Sequence, residues 1–239
     1  MPTPEKPEPI SPADELALRQ ELIEVCRLLY QRNYACGTEG NLSIRLSDTL
    51  VLSTASHTCK GRIKAAELLL SDLDGNILPS LYQSKGNKLS TELHMHLLAY
   101  KRRPDIRAIV HAHPATAVGF TVAGRSLSDC VLPEVVCTLG SIPTAPYATP
   151  STEEVPESIS PFLDEYDAIL LDHHGAITLG TDIWDAFYKM ETVERFAQTV
   201  LVAELLGGPK LLETAQLKKL LSIRSVYGLT RPVKISAAE

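Results

Sequence analysis

Ile106-Arg107-Ala108-Ile109-Val110-His111-Ala112-His113-Pro114 is the most informative stretch of this 239-residue chain. The β-branched run from Ile106 to Val110 reads as a short strand, and its period of two carries His111 and His113 on one face at the end. Pro114 then opens a helix that continues toward Thr121. Two imidazoles on one face suit two ligands of a single metal ion, although HxH alone is commoner as ordinary packing. A second apolar run, Ala168 to Leu171, also ends in histidine, at Asp172-His173-His174-Gly175. The same chemistry therefore sits at two strand ends that can meet in one sheet. His173 and His174 point to opposite faces of an extended chain, so one of them ligates, and Gly175 marks His174 as the residue beside the turn.

Working outward, Ser11-Pro12-Ala13-Asp14 signals a helix start, and Leu18, Leu22, Cys26 and Leu29 continue at helical spacing to about Arg32. Leu42 to Leu46 and Leu50 to Ser53 read as paired strands, and Ser71 to Asn76 as a turn. Ser90 caps a helix from Thr91 to about Lys101, which places Glu92 in its first turn. There the carboxylate has a bland role, complementing the helix dipole, and a chemical one, as a metal ligand or base. His94 and His96 lie about 200° apart on that helix, which assigns them to packing or solvent rather than to one metal. Cys130 to Pro150 reads as strand and loop, and Ser151 to Glu154 opens a short helix. Asp182 caps a long helix through about Leu206, and a shorter helix spans Glu213 to Ile223. Mixed helices and strands without a repeat or linker predict a sheet covered by helices.

Three turns are rich in hydroxyls and amides: Gly37 to Ser43, Thr54 to His57, and Ser90-Thr91. Each alone is ordinary turn chemistry, but together their N–H and O–H groups can hold a phosphate without a basic surface. Neither a P-loop nor a Rossmann glycine pattern is present.

The formal charge of −6 and the lack of a Lys/Arg run argue against a nucleic-acid partner or an anionic membrane. Residues 1–10, with Pro2, Pro4, Pro7 and Pro9, are expected to be a disordered proline-rich extension, and residues 11–239 one domain. The chain lacks a signal-peptide apolar region and any apolar stretch near the roughly 20 residues that span a bilayer. A soluble, cytoplasmic protein with five reduced cysteines is the expectation.

In order along the chain, Gly40-Asn41-Leu42-Ser43, Thr54-Ala55-Ser56-His57 with Lys60-Gly61, Ser90-Thr91-Glu92, His111-Ala112-His113-Pro114, Ala145-Pro146-Tyr147-Ala148-Thr149 and His173-His174-Gly175 resemble the class II aldolase/adducin family. The resemblance runs from the first helix to Tyr227. It implies an α/β fold, a three-layer α/β/α sandwich around a mostly antiparallel central sheet, and a homotetramer with sites near subunit boundaries. It further implies Zn²⁺, or another divalent metal, on His111, His113 and His174, with Glu92 as fourth ligand and catalytic base. Gly40, Asn41, Thr54, Ser56, Ser90 and Thr91 fall on the family's phosphate turns, and Tyr227 matches a tyrosine that reaches the reacting aldehyde from a neighbouring subunit. The sequence departs from the pattern at His57, where glycine is usual, and at Leu132, near Glu134, where a second tyrosine is expected.

The activity implied is metal-dependent aldol cleavage of a ketose 1-phosphate of the fuculose 1-phosphate type to dihydroxyacetone phosphate and an aldehyde. A sugar-phosphate 4-epimerase, a related dehydratase and a non-catalytic adducin-like assembly module are the alternatives on the same fold. The intact histidines and Glu92 speak against the last, since a scaffold needs none of them.

Overall fold

The computed structural model describes residues 11–235; the proposed extension over residues 1–10 lies outside the described residues, as do residues 236–239. Helix α1 (Pro12–Gln31) begins where Ser11 accepts a bond from the Asp14 amide at 3.1 Å, with Pro12 in the first turn. Strands β1 (Asn41–Arg45) and β2 (Leu50–Thr54) form the expected hairpin, and β3 (Leu68–Asp72) extends it. Helix α2 (Leu93–Arg102), strand β4 (Ala108–Ala112) and helix α3 (Ala115–Val122) follow. After them come α4 (Pro133–Thr138), β5 (Thr144–Ala145), α5 (Glu154–Ile159), β6 (Ala168–Leu171), β7 (Gly175–Gly180), α6 (Ile183–Leu205) and α7 (Thr214–Ile223).

The strands form one seven-stranded sheet in the order β3-β2-β1-β4-β7-β6-β5. Every neighbouring pair is antiparallel except β5 with β6, so the sheet is mostly antiparallel, as expected. Alternation along the strands feeds two cores. Leu42, Ile44, Ala108, Val110 and Ala112 pack with α1, α3 and α6 on one face. Ile109, Ile169, Leu171, Ile177 and Leu179 pack with α2 and α5 on the other. Helices on both faces make the three layers. Each fully buried aliphatic side chain contributes roughly 1.5–3 kcal/mol, so a polar residue at an inward position gives up that much and needs partners. Asn41, Ser43 and His111 occupy such positions on the α2 side.

The structure corrects three local expectations. The segment from Cys130 to Pro150 contains a helix, α4, because Pro133 serves as its N1 residue rather than as a breaker. Strands β3 and β7 were not expected. Leu68-Leu69-Leu70 is buried on both faces and shows no alternation, while β7 begins and ends in glycine, which weakens its strand signal. Helix α2 starts at Leu93, with Glu92 as its N-cap residue rather than within the first turn. Among the described residues no helix is long and apolar enough to cross a membrane.

Candidate active site

Strand register gathers the singled-out residues at one edge of the sheet. Asn41, at the start of β1, lies opposite His111 near the end of β4. Ala112 lies opposite Ala176 in β7, and β6 and β7 meet through the turn Asp172-His173-His174, with Leu171 paired to Gly175. The end of β2 reaches the same edge, since Ser53 pairs with Ser43 and Thr54 follows it. The N-terminus of α2 brings Glu92 over this edge.

His111, His113 and His174 converge there, each offering a ligand atom within 4.8 Å of the others. Their rings are disposed almost as a threefold propeller, with centroids 4.9 Å apart in every pair and interplanar angles of 64°, 65° and 69°. Glu92 spans two of them, with Oε2 at 3.2 Å from His111 Nε2 and Oε1 at 3.1 Å from His174 Nε2. His173 points away, to Asp172 at 2.9 Å. Its φ of +55° lets the tight turn close and send only His174 inward.

The donor set fits a cation. The Nδ1–H of His111 donates to the Ala176 carbonyl at 3.0 Å, because a carbonyl can only accept. The ring's other nitrogen, Nε2, is thereby turned to Glu92 Oε2 at 3.2 Å and to His113 Nε2 at 3.1 Å. Three convergent imidazole nitrogens beside a carboxylate are a donor set that could hold a cation. Two nitrogens bound tetrahedrally to zinc lie about 3.3–3.4 Å apart, given Zn–N distances near 2.0–2.1 Å. The observed spacing is close to that value.

Electrostatics agree. Burial alone would raise the Glu92 pKa, but contacts with the His111 and His174 rings outweigh it and hold the carboxyl below the usual range. Burial, reinforced by the charges of His111 and His174, pushes the His113 pKa down to about 3, which keeps the ring neutral and able to ligate. Side-chain exposure rises from 0% at His111 through 9% at His174 to 22% at His113, so the cluster opens to solvent on the His113 side.

Glycine makes the space. A Cβ on Gly175 would lie 2.6 Å from the Ala112 carbonyl oxygen, 2.7 Å from His113 Cδ2 and 3.0 Å from His111 Cε1. At Gly40, with φ of +70°, a Cβ would meet the His111 carbonyl oxygen at 2.6 Å. The turn before β1 therefore lies directly against the strand that carries His111.

Of the residues assigned to phosphate, Gly40, Asn41, Ser90 and Thr54 come together beside Glu92. Asn41 Nδ2 donates to Ser90 Oγ and to Glu92 Oε2, both at 3.3 Å. The Oδ1 of Asn41 is buried without a hydrogen-bond partner among the described residues. Thr54 is fully buried, and its hydroxyl oxygen accepts from the Leu42 amide at 3.2 Å, so its side chain holds β1 rather than facing outward. Ser56 joins through the chain itself: its amide donates to the Lys88 carbonyl at 2.8 Å, and Ala55 bridges Leu89. Thr91 is exposed and donates to Ser151 Oγ at 2.7 Å. His57 is exposed with φ of +58°, the left-handed geometry that explains why glycine is usual at this place.

Tyr227 is not brought to the cluster within the chain. It is 68% exposed and lines a cavity of about 550 Å³ with Pro133, Glu134, Cys137, Leu220 and Leu229. Leu132, the N-cap residue of α4, packs against the first core. His94 and His96 separate as their helical spacing requires. His94 is exposed and paired with Glu153 at 2.7 Å, while His96 is fully buried against Ser43 at 2.7 Å and held down at about 3 by burial.

Two supporting residues escaped the sequence reading. Glu194, buried on α6, accepts from the Thr116 amide at 3.1 Å and the Ala117 amide at 3.0 Å, capping α3 just after His113-Pro114. Glu39 places Oε2 at 3.8 Å from His113 Nδ1. Their long sequence separations, or in Glu39 a place in an ordinary turn, left no local signal.

The family model for the class II aldolase and adducin N-terminal domain matches residues 20–201 of this chain. The chain belongs to the class II aldolase/adducin family. It is 35% identical over 178 residues to an L-fuculose phosphate aldolase of Methanococcus maripaludis, covering 74% of this chain and 93% of that one. It is 30% identical over 194 residues to a 3-oxo-tetronate 4-phosphate decarboxylase of Pectobacterium atrosepticum, covering 80% and 86%. The crystal structure of YgbL from Escherichia coli superposes with a TM-score of 0.78 at 27% identity, covering 87% of this chain and 99% of that one.

Proposed function

We propose that the protein is a metal-dependent aldehyde-lyase that cleaves a ketose 1-phosphate of the fuculose 1-phosphate type between C3 and C4, releasing dihydroxyacetone phosphate and an aldehyde. The observation that carries this reading is the Glu92 carboxylate resting on two of three convergent imidazoles, beside turns rich in hydroxyls and amides. His111, His113 and His174 would hold the ion, and three neutral imidazoles with an open position are the ligand set of catalytic rather than structural zinc. Zn²⁺ or another divalent ion bound there supplies a Lewis acid for the substrate's ketone and for the negative charge left when the carbon–carbon bond breaks.

Glu92 moves the proton at C3. In cleavage it delivers a proton to that carbon, and in condensation it removes one. Its side chain is 13% exposed and its orientation is fixed by Asn41, so it is preorganised for a single position. Gly40, Asn41, Ser56, Ser90 and Thr91 hold the phosphate through amides and hydroxyls, with Thr54 supporting them from β1. Tyr227, contributed by a neighbouring copy in a homotetramer, handles the proton on the aldehyde oxygen. Its exposure and its separation from the cluster within one chain support a site completed by a second copy.

Kinship with the Pectobacterium decarboxylase favours one second reading. Loss of CO₂ from a phosphorylated 3-oxo acid also leaves negative charge beside a ketone, but the departing CO₂ carries no oxygen-bound proton. Such a reaction uses the histidines and Glu92 and has no task for Tyr227. A panel of ketose 1-phosphates assayed for dihydroxyacetone phosphate, run beside 3-oxo acid phosphates assayed for CO₂, separates the two. Release of dihydroxyacetone phosphate supports the lyase; CO₂ release alone replaces it with the decarboxylase.

A further inference from the structure

We propose that Lys60 is the positioning residue that brings positive charge to the phosphate turns, acting from behind them. This inference rests on the phosphate reading above. The six residues assigned to the phosphate are all neutral, and the chain as a whole is anionic. Lys60 is 1% exposed, at the head of a short 3-10 turn (Lys60–Arg62) packed on α1. Gly61 lies so flat on the Tyr30 ring that a Cβ would be 2.5 Å from Cδ1, which fixes the turn against the helix.

The ammonium donates to the Thr38 carbonyl at 3.1 Å and to the Thr58 carbonyl at 3.0 Å. Thr38 belongs to the turn that leads into Gly40 and Asn41, and Thr58 closes the turn that carries Thr54 and Ser56. One buried cation thus ties together the two turns assigned to one anion. A lysine offers three donors, and the two bonds recorded for it among the described residues go to neutral carbonyls. Burying an ammonium with no carboxylate in direct contact works against folding. The placement makes sense if an anion arrives at those turns. Burial lowers the lysine's pKa, and Cys26 and Cys59, then Glu92 and Glu39, oppose that shift, so the group lies within electrostatic reach of the site.

The test uses the full-length, metal-loaded protein and inorganic phosphate as probe. Lys60→Gln keeps a donor for one carbonyl and removes the charge; Lys60→Met removes both. Lys88→Met, at an exposed lysine beside the same turns, is the control. Calorimetric titration is expected to show phosphate affinity reduced about 10- to 100-fold in both Lys60 variants, one to two of the tenfold steps that about 1.4 kcal/mol each represents. The Lys88 variant should stay within about twofold of the parent, below the tenfold step that 1.4 kcal/mol represents. With substrate, KM should rise by the same factor while kcat holds. Melting temperature without phosphate should be unchanged or higher in Lys60→Met, a result that a purely structural staple would not give. Unchanged phosphate affinity in Lys60→Gln, or a large loss in Lys88→Met alone, overturns the inference and leaves the phosphate site standing. Failure of the unmodified protein to bind phosphate overturns the phosphate site and the inference with it.

Discussion

His111 and Ala176 are joined across β4 and β7 by a 3.0 Å bond from the imidazole Nδ1–H to the backbone carbonyl. That bond fixes the orientation of the ring and turns Nε2 toward Glu92 and His113. The ladder thus sets the site's chemistry: a one-residue slip of β7 would move the carbonyl and send every β7 side chain to the other face.

Gly175→Ala is the most local test of this packing. The added methyl meets the Ala112 carbonyl and both neighbouring imidazoles at 3.0 Å or less. Overpacking of this kind costs about 1–3 kcal/mol. We expect a lowered melting temperature and at least tenfold weaker metal binding in a competition titration with a chromogenic chelator, since displaced ligands lose about 1.4 kcal/mol or more. Parent-like metal affinity would show that the imidazoles have room that the geometry denies.

Tyr227→Phe separates the two reactions. Loss of a general acid–base group lowers aldol cleavage by about 10²- to 10⁴-fold. Because Tyr227 is exposed and remote from the histidines within the chain, metal content and melting temperature should not change. Full aldolase kcat in this variant would remove the tyrosine from the reaction.

Stability of the metal-free protein should fall with pH. His113 and His96 are held at about 3 in the folded protein and titrate near 6.5 when unfolded. Between these values the unfolded chain binds more protons, so stability is full above about pH 6.5 and is lost as pH drops toward 3. Each group contributes a slope of up to about 1.4 kcal/mol per pH unit within that window. Glu92, held below the ordinary carboxylate range, adds a further loss as pH falls below its unfolded value. Urea unfolding at pH 7, 6 and 5 measures the slope, and a flat profile would contradict the burial of the two neutral rings.

Much of this arrangement is legible in local sequence. The period-two spacing of His111 and His113, the glycine after His174, and the 200° separation of His94 from His96 all correspond to what the chain does. What local patterns could not show arises from pairing and burial. Leu68 to Leu70 carries no alternation because both faces of β3 are covered, and β7 hides behind its terminal glycines. The first-turn position expected for Glu92 fails by one step, because Ser90 accepts the Glu92 amide at 3.3 Å and the helix begins only at Leu93. Thr54 looked like an anion donor, but its hydroxyl lies inside the sheet, satisfied by the Leu42 amide. Glu194 reaches α3 from about eighty residues away, a separation that no local pattern spans.

Metal content tests the central claim most directly. Elemental analysis of the purified protein should give about one zinc or other divalent ion per chain, the occupancy of a three-histidine site. The His113→Ala variant, with Glu92, His111 and His174 left in place, should lose most of it. Full occupancy in His113→Ala would contradict the site.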